Sequence, residues 1–597
     1  MVGKDFQNIH AMLRENAEAS PDAVAFRWFS GERETASVSW AEFYQLARKV
    51  ARALIALGMS PGDRAGVLSY TCFRWVAADA GILLCGGTTV GIYQASLAKD
   101  VQHLARQSEA RVVFVQDENQ LAKLREIREN LAGVTRVILM HGEHDGDPWI
   151  MSWDDFLALA GEVPEADLDA RSLAVKPSDT AAIVYTPGTT GMARGAVLTH
   201  DNFLFTTRSV GQCLPIREGD VSFLFLPLAH VFGKMWVWMS IASRICTHFG
   251  RSMATAIEDM AEVSPHFFAS VPRIFEKVRS RALADSEAKG GLSHRLFLWA
   301  LGLGRRVSEA RLTGKEAPLL TRILYFLAGK TLLGPISRAF GKSLRFCVSG
   351  AAPLAPELGR FFHAAGVLIL EGIGMTENTS FSHVNREDDF RFGWVGKPGP
   401  GISHKRAEDG ELLIRGRNVM KSYLHMPEET RQALDDEGFL HTGDLCEIDE
   451  TGFVRITGRK KDLLITAGGR NVAPSAIEGV LCTSPYIFQA CVVGDRRKYL
   501  SALVTLEAKN VERWARDHGL SFQNLTGLSQ NEKVKELIRA EVASCSAEFP
   551  PADAVKSFAI VPEFTVDGGL LTPTLKIKRP SIEERYDSLI KSLYPQE

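Results

Sequence analysis

The chain has 597 residues, beyond the size at which a single core stops growing, so at least two domains are expected. With 45% hydrophobic and 23% charged residues it has the composition of an ordinary globular protein, and a formal net charge of −2 gives no global attraction for nucleic acid. The nine cysteines contain no CxxC pair, which argues against a zinc site or a disulfide framework and reads as free thiols in a reducing compartment.

The opening stretch, MVGKDFQNIHAMLREN, lacks an apolar h-region and a small-residue cleavage site, so no signal peptide is expected and the predicted location is cytoplasmic. A strand is predicted at 181–186. It enters the sequence Y-T-P-G-T-T-G-M-A-R-G at 185–195, and a helix start follows near Thr199. Thr186, Gly188, Thr189, Thr190 and Gly191 can offer hydroxyls and backbone N–H groups to phosphate oxygens, with Arg194 adding positive charge. The loop is not a Walker A motif, and an ordinary flexible turn could have the same composition. The most apolar long stretch, 223–245, carries His230 and Lys234 near its centre, which argues for buried core over a membrane span.

Residues 286–342 depart from the average: ten Lys/Arg stand against three Glu, a net +7, and apolar clusters alternate with the charges. Either a solvated basic helical face or contact with an anionic bilayer fits that pattern. Further strands are predicted at 345–349 and 367–371. They run into V-S-G-A-A-P-L at 348–354 and E-G-I-G-M-T-E at 371–377. The small residues let a flat ring approach the backbone. Thr376 and Glu377 place a hydroxyl beside a carboxylate, a hard oxygen ligand of the kind magnesium on a triphosphate takes.

After about residue 410 the texture changes to short strands and turns, predicted at 411–415, 452–457 and 462–466. H-T-G-D at 441–444 presents the Asp444 carboxylate after a tight turn, suited to vicinal ribose hydroxyls. G-R-K-K-D at 458–462 is the best linker candidate, and the remaining ~135 residues suffice for a small α+β domain. Near the C-terminus, L-T-P-T-L-K-I-K-R at 571–579 places Lys576 in a loop, where a mobile ammonium can stabilise charge on phosphoryl or carboxylate oxygens. Recurring strand–loop–helix units in the first three quarters predict α/β architecture with ligand loops at the strand ends.

In this order the motifs resemble those of the adenylate-forming, or AMP-binding, superfamily, and the resemblance runs from about Met12 to Tyr586. The wording is most similar to the long-chain fatty acyl-CoA synthetase branch at L-P-L-A-H-V-F (226–232), V-P-R-I-F-E-K (271–277) and I-T-A-G-G-R-N-V-A-P (465–474). The resemblance implies a large N-terminal domain of layered α/β subdomains, residues 1–459, and a small mobile α+β domain, residues 460–597. It implies ATP, Mg2+ and coenzyme A as reaction partners of a fatty acid.

Carried over, Thr186 to Gly195 would hold phosphates, and Gly350, Ala351, Gly372, Ile373 and Gly374 would line the adenine pocket. Thr376 would touch the α-phosphate, Glu377 the magnesium, and Asp444 the ribose, with Arg459 nearby. Lys576 would bridge acyl carboxylate and α-phosphate, and His230 would sit at the mouth of the acyl tunnel. Gly468 and Gly469 would flank the pantetheine path, and Lys461 would be the hinge. Three positions depart from the family pattern: Arg194 for lysine, Pro187 for Ser or Gly, and Ile373 for an aromatic residue. Alternatives to an acyl-CoA synthetase are a fatty acyl-AMP ligase loading a carrier protein, a relative acting on an aromatic or amino acid, and a non-catalytic nucleotide- or lipid-binding protein. The basic segment leaves a peripheral position on the inner face of a membrane open.

Overall fold

The computed structural model describes residues 6–31, 34–186, 193–547, 549–566, 568–572 and 576–594. Among them the strands form five sheets. The largest has Leu368–Ile373, Phe346–Ser349, Phe267–Ser270, Val221–Leu224, Cys246–Phe249 and Val24–Phe29 side by side. These strands are parallel, with Phe346 opposite Leu368 and Ser349 opposite Glu371. A second sheet is centred on Thr180–Thr186, Thr88–Ile92, Arg64–Leu68 and Ala110–Val115, again parallel. Parallel pairing requires long crossovers, and the sequence supplies them as helices.

The helix Phe73–Leu84 shows how the two sheets share one core. All its residues except Arg74 are buried, as expected of a helix that is apolar on nearly every side. It touches Val24–Phe29 of the first sheet and both Arg64–Leu68 and Thr88–Ile92 of the second. Gly81 permits close packing on helix Trp40–Ala56, because a Cβ there would come within 2.3 Å of Val50. The stretch 223–245 is not one apolar segment but a strand end, a turn and the buried helix Val231–Ala242. Its Lys234 is only 3% exposed and pairs with Asp79, 2% exposed, on helix Phe73–Leu84. Asp79 also accepts from Trp238 Nε1 at 3.0 Å and Thr89 Oγ1 at 2.6 Å.

An antiparallel four-stranded sheet follows, made of Ser403–Arg406, Glu411–Arg415, Leu440–Ile448 and Val454–Arg459. Beyond it, Ile487–Val493, Leu500–Leu506 and Val555–Ile560 form a three-stranded sheet packed with helices Pro474–Leu481 and Glu532–Ser546. This region has hydrophobic clusters of its own, around Ile477, Leu503 and Phe564. The fold is thus α/β, with a large N-terminal domain and a small C-terminal one.

The expected linker at 458–462 is shorter than its composition indicated. Gly458 and Arg459 belong to a strand, opposite Leu445 and Asp444, because backbone pairing with that neighbour outweighs their poor apolar content. The exposed turn begins at Lys460, whose N–H still donates to Gly443 O at 2.8 Å. The small domain docks on helix Pro272–Ala288: Arg273 Nη1 donates to Phe488 O at 2.6 Å, with its guanidinium 3.8 Å from the Phe488 ring centre.

Candidate active site

The glycine-rich sequence lies between two strands that pair with each other. Thr180–Thr186 and Arg194–Thr199 pair antiparallel with Thr186 opposite Arg194. Pro187, Gly188, Thr189, Thr190 and Gly191 lie outside the described residues. The helix start expected near Thr199 is a capping box, in which the Thr199 hydroxyl accepts from Asn202 N–H. Strand Ser422–Tyr423 lies alongside this strand pair, with Tyr423 opposite Ala196 and its ring centre 5.7 Å from the Arg194 guanidinium. Tyr423 O–H donates to Glu377 Oε1 at 2.6 Å, and Met420 N–H donates to Glu377 O at 2.7 Å. One short strand therefore ties the strand pair to the buried Thr376–Asn378 turn. Burial and the Glu377 carboxylate raise the Tyr423 phenol well above its ordinary range, so it remains a donor.

Gly350, Ala351, Gly372, Ile373 and Gly374 do come together, lining one open pocket. Its other walls include Val210, Leu214, Trp236, Phe381 and Val384, all buried apolar side chains. An apolar lining with a few polar groups is usual for small-molecule sites. Close backbone approach explains the glycines: a Cβ on Gly374 would lie 1.9 Å from Ser380 O, and one on Gly372 2.9 Å from His383 O. Ala351 (φ +67°), Thr379 (+54°) and Ser380 (+69°) hold left-handed backbone around this pocket, a strain that persists only where the surroundings enforce it.

His230 also lines the pocket and caps helix Val231–Ala242. Burial, reinforced by the charge of Lys576, pushes its imidazole down to about 3, so it is neutral at ordinary pH. Its Nδ1 accepts from Phe232 N–H at 3.1 Å, which leaves the ring proton on Nε2 as a donor. Lys576 comes from the other domain. Its loop is closed by a Leu571–Ile577 bridge and by Lys576 N–H donating to Thr572 Oγ1 at 3.0 Å. The side chain keeps solvent contact at the mouth of the cleft. Crowding by protein, then the charge of Arg459, pulls its ammonium below the usual lysine range, against Asp444 and Glu377, which favour the charged form. Arg459 Nε donates to Asp444 Oδ1 at 2.8 Å, and that carboxylate holds the guanidinium firmly protonated.

The structure thus brings His230, Glu377, Asp444 and Arg459 within electrostatic reach of Lys576. Gly468 and Gly469 stand apart, on an exposed turn closed by Thr466 and Arg470 within the small domain. Sequence reasoning missed Tyr423, whose role depends on a strand pairing no motif marks. It also missed the burial of Glu371, whose carboxylate accepts from Leu354 N–H at 3.0 Å and is pushed up to about 8 by desolvation. Among the described residues no cluster of three or more His, Cys, Asp or Glu could hold a metal by itself. Glu377 fits a cation that arrives on a nucleotide, since Tyr423 engages only its Oε1.

The glycine-walled apolar pocket with His230 on its wall and the two-domain α/β fold describe an adenylate-forming ligase. The chain belongs to the AMP-binding enzyme family: the model of that description matches residues 13–424, and that of the AMP-binding enzyme C-terminal domain matches 461–597. It is similar to the long-chain-fatty-acid–CoA ligase FadD15 of Mycobacterium bovis, 33% identical over 99% of this chain and 98% of that protein. It is also similar to the long-chain-fatty-acid–CoA ligase ACSBG2 of Xenopus laevis, 29% identical over 98% of this chain and 83% of that one. In fold it matches an anthranilate CoA ligase solved with anthranoyl-AMP, with a TM-score of 0.72, 22% identity, and coverage of 100% and 98% of the two chains.

Proposed function

We propose that the protein activates a long-chain fatty acid with ATP as acyl-AMP and transfers the acyl group to coenzyme A. The observation that carries this reading is the apolar pocket itself, which Val210, Leu214 and Trp236 line together with His230 and the glycine-walled loops. The names of full-length relatives at about this identity point to the same substrate class.

A carboxylate is a poor acyl donor because oxide would have to leave. In the proposed first step a substrate carboxylate oxygen attacks the α-phosphorus of ATP, an O–P bond forms, and the bond to pyrophosphate breaks. Catalysis there is positioning plus charge stabilisation. His230 Nε2–H donates to one carboxylate oxygen, and Lys576 spans the other oxygen and the α-phosphate. Thr376 meets the α-phosphate, Asp444 the ribose hydroxyls, and Arg194 with Thr186 the outer phosphates. Magnesium, when bound on the triphosphate beside Glu377, supplies charge neutralisation to the leaving pyrophosphate. In the second step the thiolate sulfur of coenzyme A attacks the acyl carbon, a C–S bond forms and AMP leaves.

Lys576 stands in the way of that second nucleophile, so the small domain has to rotate between steps, with Lys461 as hinge. The rotation would carry Gly468 and Gly469 towards the site from their present exposed turn. The test is product analysis by mass spectrometry after incubation of the full chain with ATP, Mg2+, coenzyme A and carboxylic acids from acetate to long-chain and aromatic. Long-chain acyl-CoA, AMP and pyrophosphate are expected. Products from acetate or benzoate alone would overturn the substrate class, and acyl-AMP without thioester would overturn the acceptor.

A further inference from the structure

Ten of the fifteen exposed large hydrophobic side chains among the described residues fall between Leu292 and Leu327. They belong to a hairpin of two helices, Gly291–Leu312 and Leu319–Thr331. The first is well anchored. Leu301 and Val307 are buried, Ser308 Oγ lies 2.6 Å from His363 Nδ1, and a Cβ on Gly304 would sit 2.1 Å from Ala364 O.

The second helix is inside out. Of its thirteen residues only Ala328 is buried, while Leu319, Leu320, Ile323, Phe326 and Leu327 are 49–70% exposed. Leu319, Ile323, Phe326 and Lys330 recur at helical spacing, so they form one outward stripe, and Lys330 Nζ lies 4.4 Å from the Phe326 ring centre. An apolar face of this kind needs an occupant. Charge decides which. Residues 291–331 hold seven Lys/Arg against two Glu, net +5 in a chain of net −2, and Arg322 is paired with Glu316 at 2.6 Å. A symmetric contact between two copies would bring those like charges together. An anionic lipid surface would accept the apolar stripe and the cations at once.

We infer that the hairpin 291–331 docks the protein peripherally on an anionic bilayer, with the outer stripe of helix Leu319–Thr331 in the acyl boundary and Arg305, Arg306 and Lys330 among the headgroups. No helix among the described residues is long and apolar enough to cross a membrane, so the contact lies in the interface.

The test is vesicle co-sedimentation of the full chain without substrates. Vesicles of phosphatidylcholine alone are compared with an equimolar mixture of phosphatidylcholine and phosphatidylglycerol. Binding is expected only to the anionic vesicles, and it should weaken at high salt. The double variants Ile323→Asp/Phe326→Asp and Arg305→Glu/Arg306→Glu should each lower partitioning by roughly tenfold or more. Both pairs are exposed, so the melting temperature should hold, and a preserved melt separates lost docking from lost folding. Absent binding, equal binding to both vesicle types, or variants that bind like the parent overturn the proposal. So does a dimer in sedimentation velocity that the apolar variant dissolves, since a second copy would then cover the face.

Discussion

Arg459 Nε and the Asp444 carboxylate meet at 2.8 Å across neighbouring antiparallel strands, immediately before the exposed turn that begins at Lys460. The carboxylate proposed for the ribose is therefore oriented by the last strand of the large domain. It also lies within electrostatic reach of Lys576, which the small domain supplies.

This arrangement predicts that the two half-reactions separate in one variant. Lys576→Ala should lower acid-dependent ATP–pyrophosphate exchange by about 10²–10³, the usual consequence of removing one group that stabilises developing charge. Transfer from preformed acyl-AMP to coenzyme A should stay close to wild type. Equal losses in both steps would place Lys576 in a role other than the one proposed.

Ile373 lines the pocket where the family pattern has an aromatic ring. Ile373→Tyr should tighten ATP binding by the value of one ring stack, about 0.5–1.5 kcal/mol. Isothermal titration with ATP reads this directly. Unchanged or weaker affinity would show that the adenine does not lie against this side chain.

Asp79 and Lys234 should behave as one unit. Asp79→Ala leaves a buried ammonium with Trp238 Nε1 and Thr89 Oγ1 unpaired, and should cost about 3–5 kcal/mol in denaturant unfolding. Lys234→Met should cost a similar amount, and the double substitution clearly less than the sum. Additive losses would mean that the two side chains do not depend on each other.

Glu371 predicts a pH dependence. Its carboxyl is raised from 4.5 to about 8 in the folded protein, so the folded state binds more protons than the unfolded state between those values. Stability associated with this group is full below pH 4.5 and is lost as pH rises towards 8. Glu371→Gln keeps an acceptor for Leu354 N–H and removes the proton cost. The variant should therefore gain on wild type by on the order of 3 kcal/mol between pH 5 and 8. Thermal melts across that range check it, and parallel curves would refute it.

Much of the site was legible in the sequence because its parts are local. The glycines at 372 and 374 and the carboxylate after Gly443 each need a particular residue type at a particular backbone position, and such needs leave short motifs. The alternation of apolar strands and helices likewise fixed the α/β class, since parallel strands can be joined only by long crossovers. Composition failed where pairing mattered more than polarity: Gly458 and Arg459 look like linker and are strand.

What the sequence by itself determined was the inventory of chemical groups and their order along the chain. Only the tertiary structure decided which of them share a space. It joined Asp79 to Lys234 across 155 positions and Tyr423 to Glu377 across 46, and it brought Lys576 from another domain within electrostatic reach of His230. It also turned the apolar side of 319–331 outwards, where periodicity alone would have buried it. The physical reason is that periodicity and propensity act over a few residues, whereas contacts between distant segments are settled by the packing of whole sheets and helices against one another.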